Sequence, residues 1–131
     1  MKPRALCFFL ILICLSVFTG CKSKSAALVG TYSIEDNGKL KKFVRIARYG
    51  DKYLISEKYE VHWLAPDEVE PVDSDDIQEI VSMPVTGVIA SLGNRRVAVV
   101  QVPVGWKSGA FESKSGYWLA SPLGPVDLYK D

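Results

Sequence analysis

Beyond residue 21 the chain has no cysteine, because all three (Cys7, Cys14 and Cys21) fall in its first 21 residues. A domain built from the remainder has no internal disulfide and must hold together by its core. The same absence rules out a cysteine nucleophile, and the single histidine, His62, leaves no His/Cys set for zinc. An excess of one charge sign is also missing. Sixteen Lys and Arg against fifteen Asp and Glu give +1, whereas nucleic-acid binders carry a marked basic excess. There is no Gly-x-Ser-x-Gly elbow, no internal repeat and no low-complexity tract. No cofactor is expected.

What is present begins with a leader. Met1-Lys2-Pro3-Arg4 is basic, and Ala5 to Phe18 carries no charge. As a helix that run rises only ~21 Å, short of the ~30 Å hydrocarbon core of a bilayer. Basic start, apolar run and small residues at the exit form the signal-peptide pattern, expected over 1–20, with an uncleaved N-terminal anchor as the alternative. The exit, Val17-Phe18-Thr19-Gly20-Cys21, resembles the lipobox of bacterial lipoproteins. Phe18 departs from that pattern, in which leucine is usual. The resemblance implies cleavage before Cys21, a diacylglycerol on its sulfur, and a bacterial envelope location. Lys22 in place of the aspartate that retains such proteins at the inner membrane implies export to the outer membrane. Residues 21–27 then form a lipidated tether. Lys22 to Ala27 spans at most ~20 Å, and Lys22 and Lys24 add weak attraction to anionic headgroups.

Residues 28–131 are expected to form one domain of β texture. Leu28–Ile34, Lys42–Tyr49, Lys52–Tyr59, Ile77–Met83, Val85–Leu92, Arg95–Val102 and Tyr117–Ser121 are rich in β-branched and aromatic residues, with turn residues near most of their ends. Val126–Tyr129 is a weaker strand, and Asp73–Ile80 is the one place suited to a short helix. Gly50-Asp51 fits a type II′ turn. It pairs Tyr49 with Lys52, Ile46 with Ile55 and Val44 with Glu57, and it puts Val44, Ile46, Tyr53 and Ile55 on one core-facing side. Gly93-Asn94 supplies a second turn. Its strands are apolar on both faces, with Val88, Ala90, Val97 and Val99 on one and Val85, Ile89, Ala98, Val100 and Val102 on the other. That hairpin should be covered on both sides. The fold expected is all-β, a small antiparallel barrel or sandwich of about 7–8 strands, with an up-and-down meander favoured over a Greek key.

The sharpest chemical feature is acidic. Asp67, Glu68, Glu70, Asp73, Asp75, Asp76 and Glu79 put seven carboxylates into thirteen residues without a cation. Such a segment is a solvated loop, or a patch that steers a basic partner. Asp73-Ser74-Asp75-Asp76 lacks the spaced ligands of a calcium loop, and the carboxylates come with no substrate-binding pattern of a glycosidase. Residues 103–116 read as the longest irregular region. Its Trp106 is either an interface anchor or a plug closing a barrel end. Ser115-Gly116-Tyr117 and Ser108-Gly109-Ala110-Phe111 are similar to the inhibitory Ser-Gly loop of periplasmic lysozyme-inhibitor lipoproteins, although the chain lacks the cysteines common there. Arg95 and Arg96, with Lys39, Lys41, Lys42 and Arg45, read as solvated cations that discourage edge pairing. His62, between Val61 and Trp63, has no companion motif.

The expected function is a non-enzymatic, membrane-anchored envelope protein. It would contact the membrane through lipid on Cys21 and a protein partner through Asp67, Glu68, Glu70, Asp73, Asp75, Asp76 and Trp106. Inhibition of, or immunity to, a periplasmic enzyme is one form of this. A lipocalin-like carrier of a small apolar ligand and an envelope assembly role are the alternatives.

Overall fold

A computed structural model describes residues 24–131. The leader, Cys21 and the first residues of the tether lie outside the described residues. Strands β1 (Gly30–Asp36), β2 (Lys39–Tyr49), β3 (Lys52–Tyr59), β4 (His62–Trp63) and β5 (Asp67–Val69) precede helix α1 (Ser74–Val81). After the helix come β6 (Ala90–Gly93), β7 (Ala98–Gln101), β8 (Trp106–Ser108), β9 (Phe111–Ser113), β10 (Tyr117–Ser121) and β11 (Gly124–Lys130).

The fold is all-β in character. Its main sheet runs β4-β3-β2-β1-β11-β10-β7-β6, with β5 also paired to β3 and every pairing antiparallel. The sheet curls strongly into a half-barrel. Its two edges are joined by one antiparallel bridge, in which the Glu70 and Gly93 amides and carbonyls exchange hydrogen bonds of 3.0 and 2.8 Å. Neighbours in space are mostly neighbours in sequence, giving an up-and-down path. The Asn37-Gly38, Glu60-Val61, Asn94–Arg96 and Pro122-Leu123 turns therefore share one rim. The chain entry to β1, the Gly50-Asp51 turn, the Val102–Gly116 connection and the end of β11 share the other.

Local chemistry accounts for the best-defined hairpins. Gly50 takes φ +65°, which costs glycine little, and the turn sets Tyr49 against Lys52, Ile46 against Ile55 and Val44 against Glu57, as expected. Val44, Ile46 and Ile55 are buried and Tyr53 packs beside them. Asn37-Gly38, both with positive φ, closes β1 onto β2, a strong hairpin signal that the run of lysines after it hides.

Two apolar clusters flank the sheet. The inner one fills the curl with Leu28, Tyr32, Val44, Ile46, Ile55, Val69, Leu92, Val99, Leu119 and Leu128. The outer one lies on the convex face of β7 and β10, where Ala98, Val100, Trp118 and Ala120 are covered by Ile77 of α1, Val85 and the β8–β9 hairpin. The expectation that the second hairpin is covered on both sides is met by Val97 and Val99 inward and by Ala98, Val100 and Val102 outward.

Several local expectations are corrected. Ile77–Met83 is not a strand. Asp73 caps a helix by accepting the Asp76 N–H at 2.9 Å, and Asp75 and Asp76 sit in its first turn, where carboxylates suit the helix dipole. Ile77, Ile80 and Val81 then share the stripe that meets the outer cluster. The connection after Gly93 is not a two-residue turn. The Asn94 carboxamide accepts N–H groups from Arg96 (2.8 Å) and Val97 (3.0 Å), making a longer loop, and β6 starts only at Ala90. Val88 accordingly packs outward and Ile89 is exposed. Residues 103–116 are not irregular throughout, since β8 and β9 pair through Trp106–Ser113 and Ser108–Phe111. Hydrogen bonding begins before β1. The Leu28 N–H donates to Ser25 O and the Val29 N–H to Ala26 O, and Leu28 is fully buried.

Candidate functional site

The seam where the two sheet edges meet is the place that gathers chemistry. Beside the Glu70–Gly93 bridge, residues of both edges and of α1 come together. The result is a half-open cleft of about 990 Å³ lined by Glu68, Val69, Glu70 and Val72 on one side, Gly93, Asn94 and Arg95 on the other, and Asp76, Glu79 and Ile80 of the helix. Asp76, Glu79 and Ile80 follow i, i+3, i+4 spacing, so one helical face points into it. Four carboxylates, two from β5 and the residue just after it and two from α1, thus line one cleft, and Arg95 is the cation among the lining residues. Walls of low dielectric concentrate such a field.

The sequence-predicted residues divide. Glu68, Glu70 and Asp76 line the cleft. Asp67 is drawn aside by Arg96, its Oδ2 3.0 Å from the guanidinium, and Lys52 stands 3.5 Å from Glu68. Both ion pairs are well exposed and of small energetic weight. Asp73 is used as the helix cap, and Asp75 is in the first turn. The cations absent from the segment itself are supplied by β3 and the β6–β7 loop. Glu79 and Arg95 complete the cleft, and neither was placed in the expected site. The spacing of Asp76, Glu79 and Ile80 carried the signal for Glu79, while Arg95 joins only through the fold.

Trp106 is apart from the cleft. Its ring stacks on Trp118 (centroids 5.5 Å, 14° between planes) and meets Phe111 edge-on, and its indole N–H donates to Thr86 O at 2.7 Å. It fastens the β8–β9 hairpin to the outer face of the sheet and is only partly exposed. The Trp118 indole N–H is buried and has no protein partner.

The serines of residues 113–116 are engaged internally. Ser113 Oγ donates to Asp127 Oδ1 at 2.9 Å, Ser115 Oγ lies 3.2 Å from the same oxygen and also bonds Leu128 O, and the Lys114 N–H donates to Asp127 Oδ2 at 3.1 Å. Ser113 is fully buried. Ser108, in the other stretch similar to the inhibitory Ser-Gly loop, donates its hydroxyl to Pro84 O. His62 is exposed on β4, and neither Ser113 nor Asp127 stands on a strand next to it. Among the described residues no three His, Cys, Asp or Glu side chains converge to hold a metal ion. No helix among them is long and apolar enough to cross a membrane.

Arg45, Lys58 and Trp63 form a smaller cluster on the convex face of β2–β4, which the sequence reading did not assemble. The Arg45 guanidinium lies 4.5 Å and the Lys58 ammonium 5.8 Å from the Trp63 ring centre. Inside the curl, Tyr32 donates to Leu28 O at 2.6 Å. Burial, with a smaller contribution from Tyr117, pushes its phenol far above the ordinary 10.0.

No protein-family model matches this chain, and no curated protein and no solved structure matches it.

Proposed function

We propose that the protein is a membrane-anchored envelope lipoprotein that binds a basic protein partner at the acidic seam and performs no catalysis of its own. The observation that carries this reading is the presence of Glu68, Glu70, Asp76 and Glu79 in the lining of one open cleft. A partner presenting a Lys or Arg side chain there gains charge-assisted hydrogen bonds and an electrostatically steered encounter. Cationic hydrolases of the cell wall, muramidases among them, fit that chemistry, and inhibition or immunity is the corresponding role. Cleavage before Cys21 and acylation of its sulfur supply the anchor in this reading, because two or three acyl chains hold a protein stably where one does so marginally.

The carrier alternative has less support. It requires a lined cavity inside the curl, and the inward positions there carry a contiguous set of buried side chains from Leu28 to Leu128.

The test compares wild type with a Glu68→Gln, Glu70→Gln, Asp76→Asn, Glu79→Gln variant against a panel of purified cationic periplasmic hydrolases. Expected is association with at least one of them that slows with added salt and slows about tenfold or more in the variant. Binding with equal rates for both proteins, or no binding across the panel, counts against the seam.

A further inference from the structure

We infer that the rim carrying the start of β1 is a seat for an anionic phospholipid surface, and that it turns the opposite rim away from the bilayer. The inference rests on the reading of Cys21 as acylated. The reach of the chain carries it. Ser25 and Ala26 already accept hydrogen bonds from Leu28 and Val29, Lys130 Nζ donates to Ala27 O, and Leu28 is fully buried. The slack between an acylated Cys21 and the folded domain is therefore about four residues, at most ~14 Å extended. A strand of the length of β1, seven residues, rises ~23 Å. With so short a leash, an upright domain meets the bilayer at the rim where β1 begins.

That rim is built to be met. Tyr49, at the Gly50-Asp51 turn, is 77% exposed, and Val104, in the connection after β7, is 78% exposed. Exposed cations share the same end: Lys24, Arg48, Lys130 and Lys52, the last 3.5 Å from Glu68, set against Asp51, Glu68 and Asp131. An aromatic ring with a polar tip beside long basic side chains suits the headgroup region, where the stems bury and the charges reach phosphate. The opposite rim also carries exposed apolar side chains, Leu40, Tyr59, Val61 and Leu123. Composition does not separate the two ends; the position of the leash does.

The full chain is produced in a lipoprotein-processing bacterium and reconstituted in vesicles of phosphatidylethanolamine and phosphatidylglycerol. With the Cys21 sulfur blocked, Tyr49→Cys, Val104→Cys, Val61→Cys and Leu123→Cys each offer one site for an environment-sensitive fluorophore. Expected is quenching by doxyl-labelled lipid several-fold stronger at 49 and 104 than at 61 and 123. Adding Arg48→Glu and Lys52→Glu should weaken the quenching at 49 in anionic vesicles. Equal quenching at all four positions, or the reverse order, overturns the seat. Intact mass of the same preparation reads the acylation separately. An acylated chain with uniform quenching loses only the seat, whereas an unacylated sulfur removes the anchor and the seat together.

Discussion

The β2–β3 hairpin and the β7–β10 pair belong to one sheet, yet they meet their surroundings differently. Val44, Ile46 and Ile55 face the inner cluster, while the other side of the hairpin is largely solvated and dressed by Arg45, Lys58 and Trp63. In β7 and β10, Val99 and Leu119 face inward while Val100 and Trp118 face outward into a second buried layer. One hairpin alternates apolar with polar, and the other pair is apolar on both faces through 98–100 and 117–120. The difference teaches where the extra elements went. A helix and a two-stranded ribbon pack on the doubly apolar part of the sheet, since leaving Val100 and Trp118 in water would forfeit roughly 1.5–3 kcal/mol for each large side chain.

That contrast can be tested from its strongest side downward. Trp118→Ala removes the centre of the outer layer, with its contacts to Trp106 and Phe111. It should cost ~3–5 kcal/mol, read from the denaturant midpoint. A loss below ~1 kcal/mol would mean that the second layer is not a core at all. Gly93→Ala comes next, because a Cβ there would lie 2.5 Å from Ala98 Cβ and 2.7 Å from Val97 O. A cost of about 1–3 kcal/mol is expected, with faster hydrogen exchange at the Glu70 and Gly93 amides of the closing bridge.

Tyr32→Phe probes the inner layer and should cost about 1 kcal/mol for the lost bond to Leu28 O. It also tests a pH effect. The folded phenol titrates above its ordinary 10.0. The unfolded chain therefore releases that proton first, and the associated stability is complete below pH 10 and lost as pH rises towards the folded value. Stability scans from pH 9 upward should show the wild-type slope reduced in Tyr32→Phe. The smallest effect belongs to the solvated face. Arg45→Ala should cost about 0.5–1 kcal/mol or less, as an exposed cation–π contact does.

How much of this was legible follows the same division. The β2–β3 register could be read because a glycine-first turn fixes which residues pair, and alternation then fixes the face. α1 was ambiguous, since Ile77, Ile80 and Val81 are β-branched and fit a strand composition, while their spacing and the Asp73 cap argue for a helix. The β8–β9 ribbon leaves little trace in the sequence because its three-residue strands sit among Gly, Ser and Lys and are held down by two aromatic rings. Of the candidate site, the charge was plain in the sequence and the cleft was not. Gly93, Asn94 and Arg95 lie more than twenty residues after Glu70 and reach it only when the sheet curls round. Trp106 had the opposite history, with a side chain conspicuous in the sequence that proves to be spent on packing.

The two ends of the described chain lie side by side: the Asp131 N–H donates to Thr31 O at 2.9 Å and Lys130 reaches Ala27 O. In effect residues 27–131 trace a ring with one cut. A reporter or affinity handle appended after Asp131 would emerge beside residues 27–31, on the rim where β1 begins. The same reporter spliced into the Pro122-Leu123 turn, where Leu123 is fully exposed, would stand clear on the other side. Joining the two described ends with a short linker and reopening the chain at that turn would move its first residue to the opposite rim, giving an inverted version of the domain for comparison.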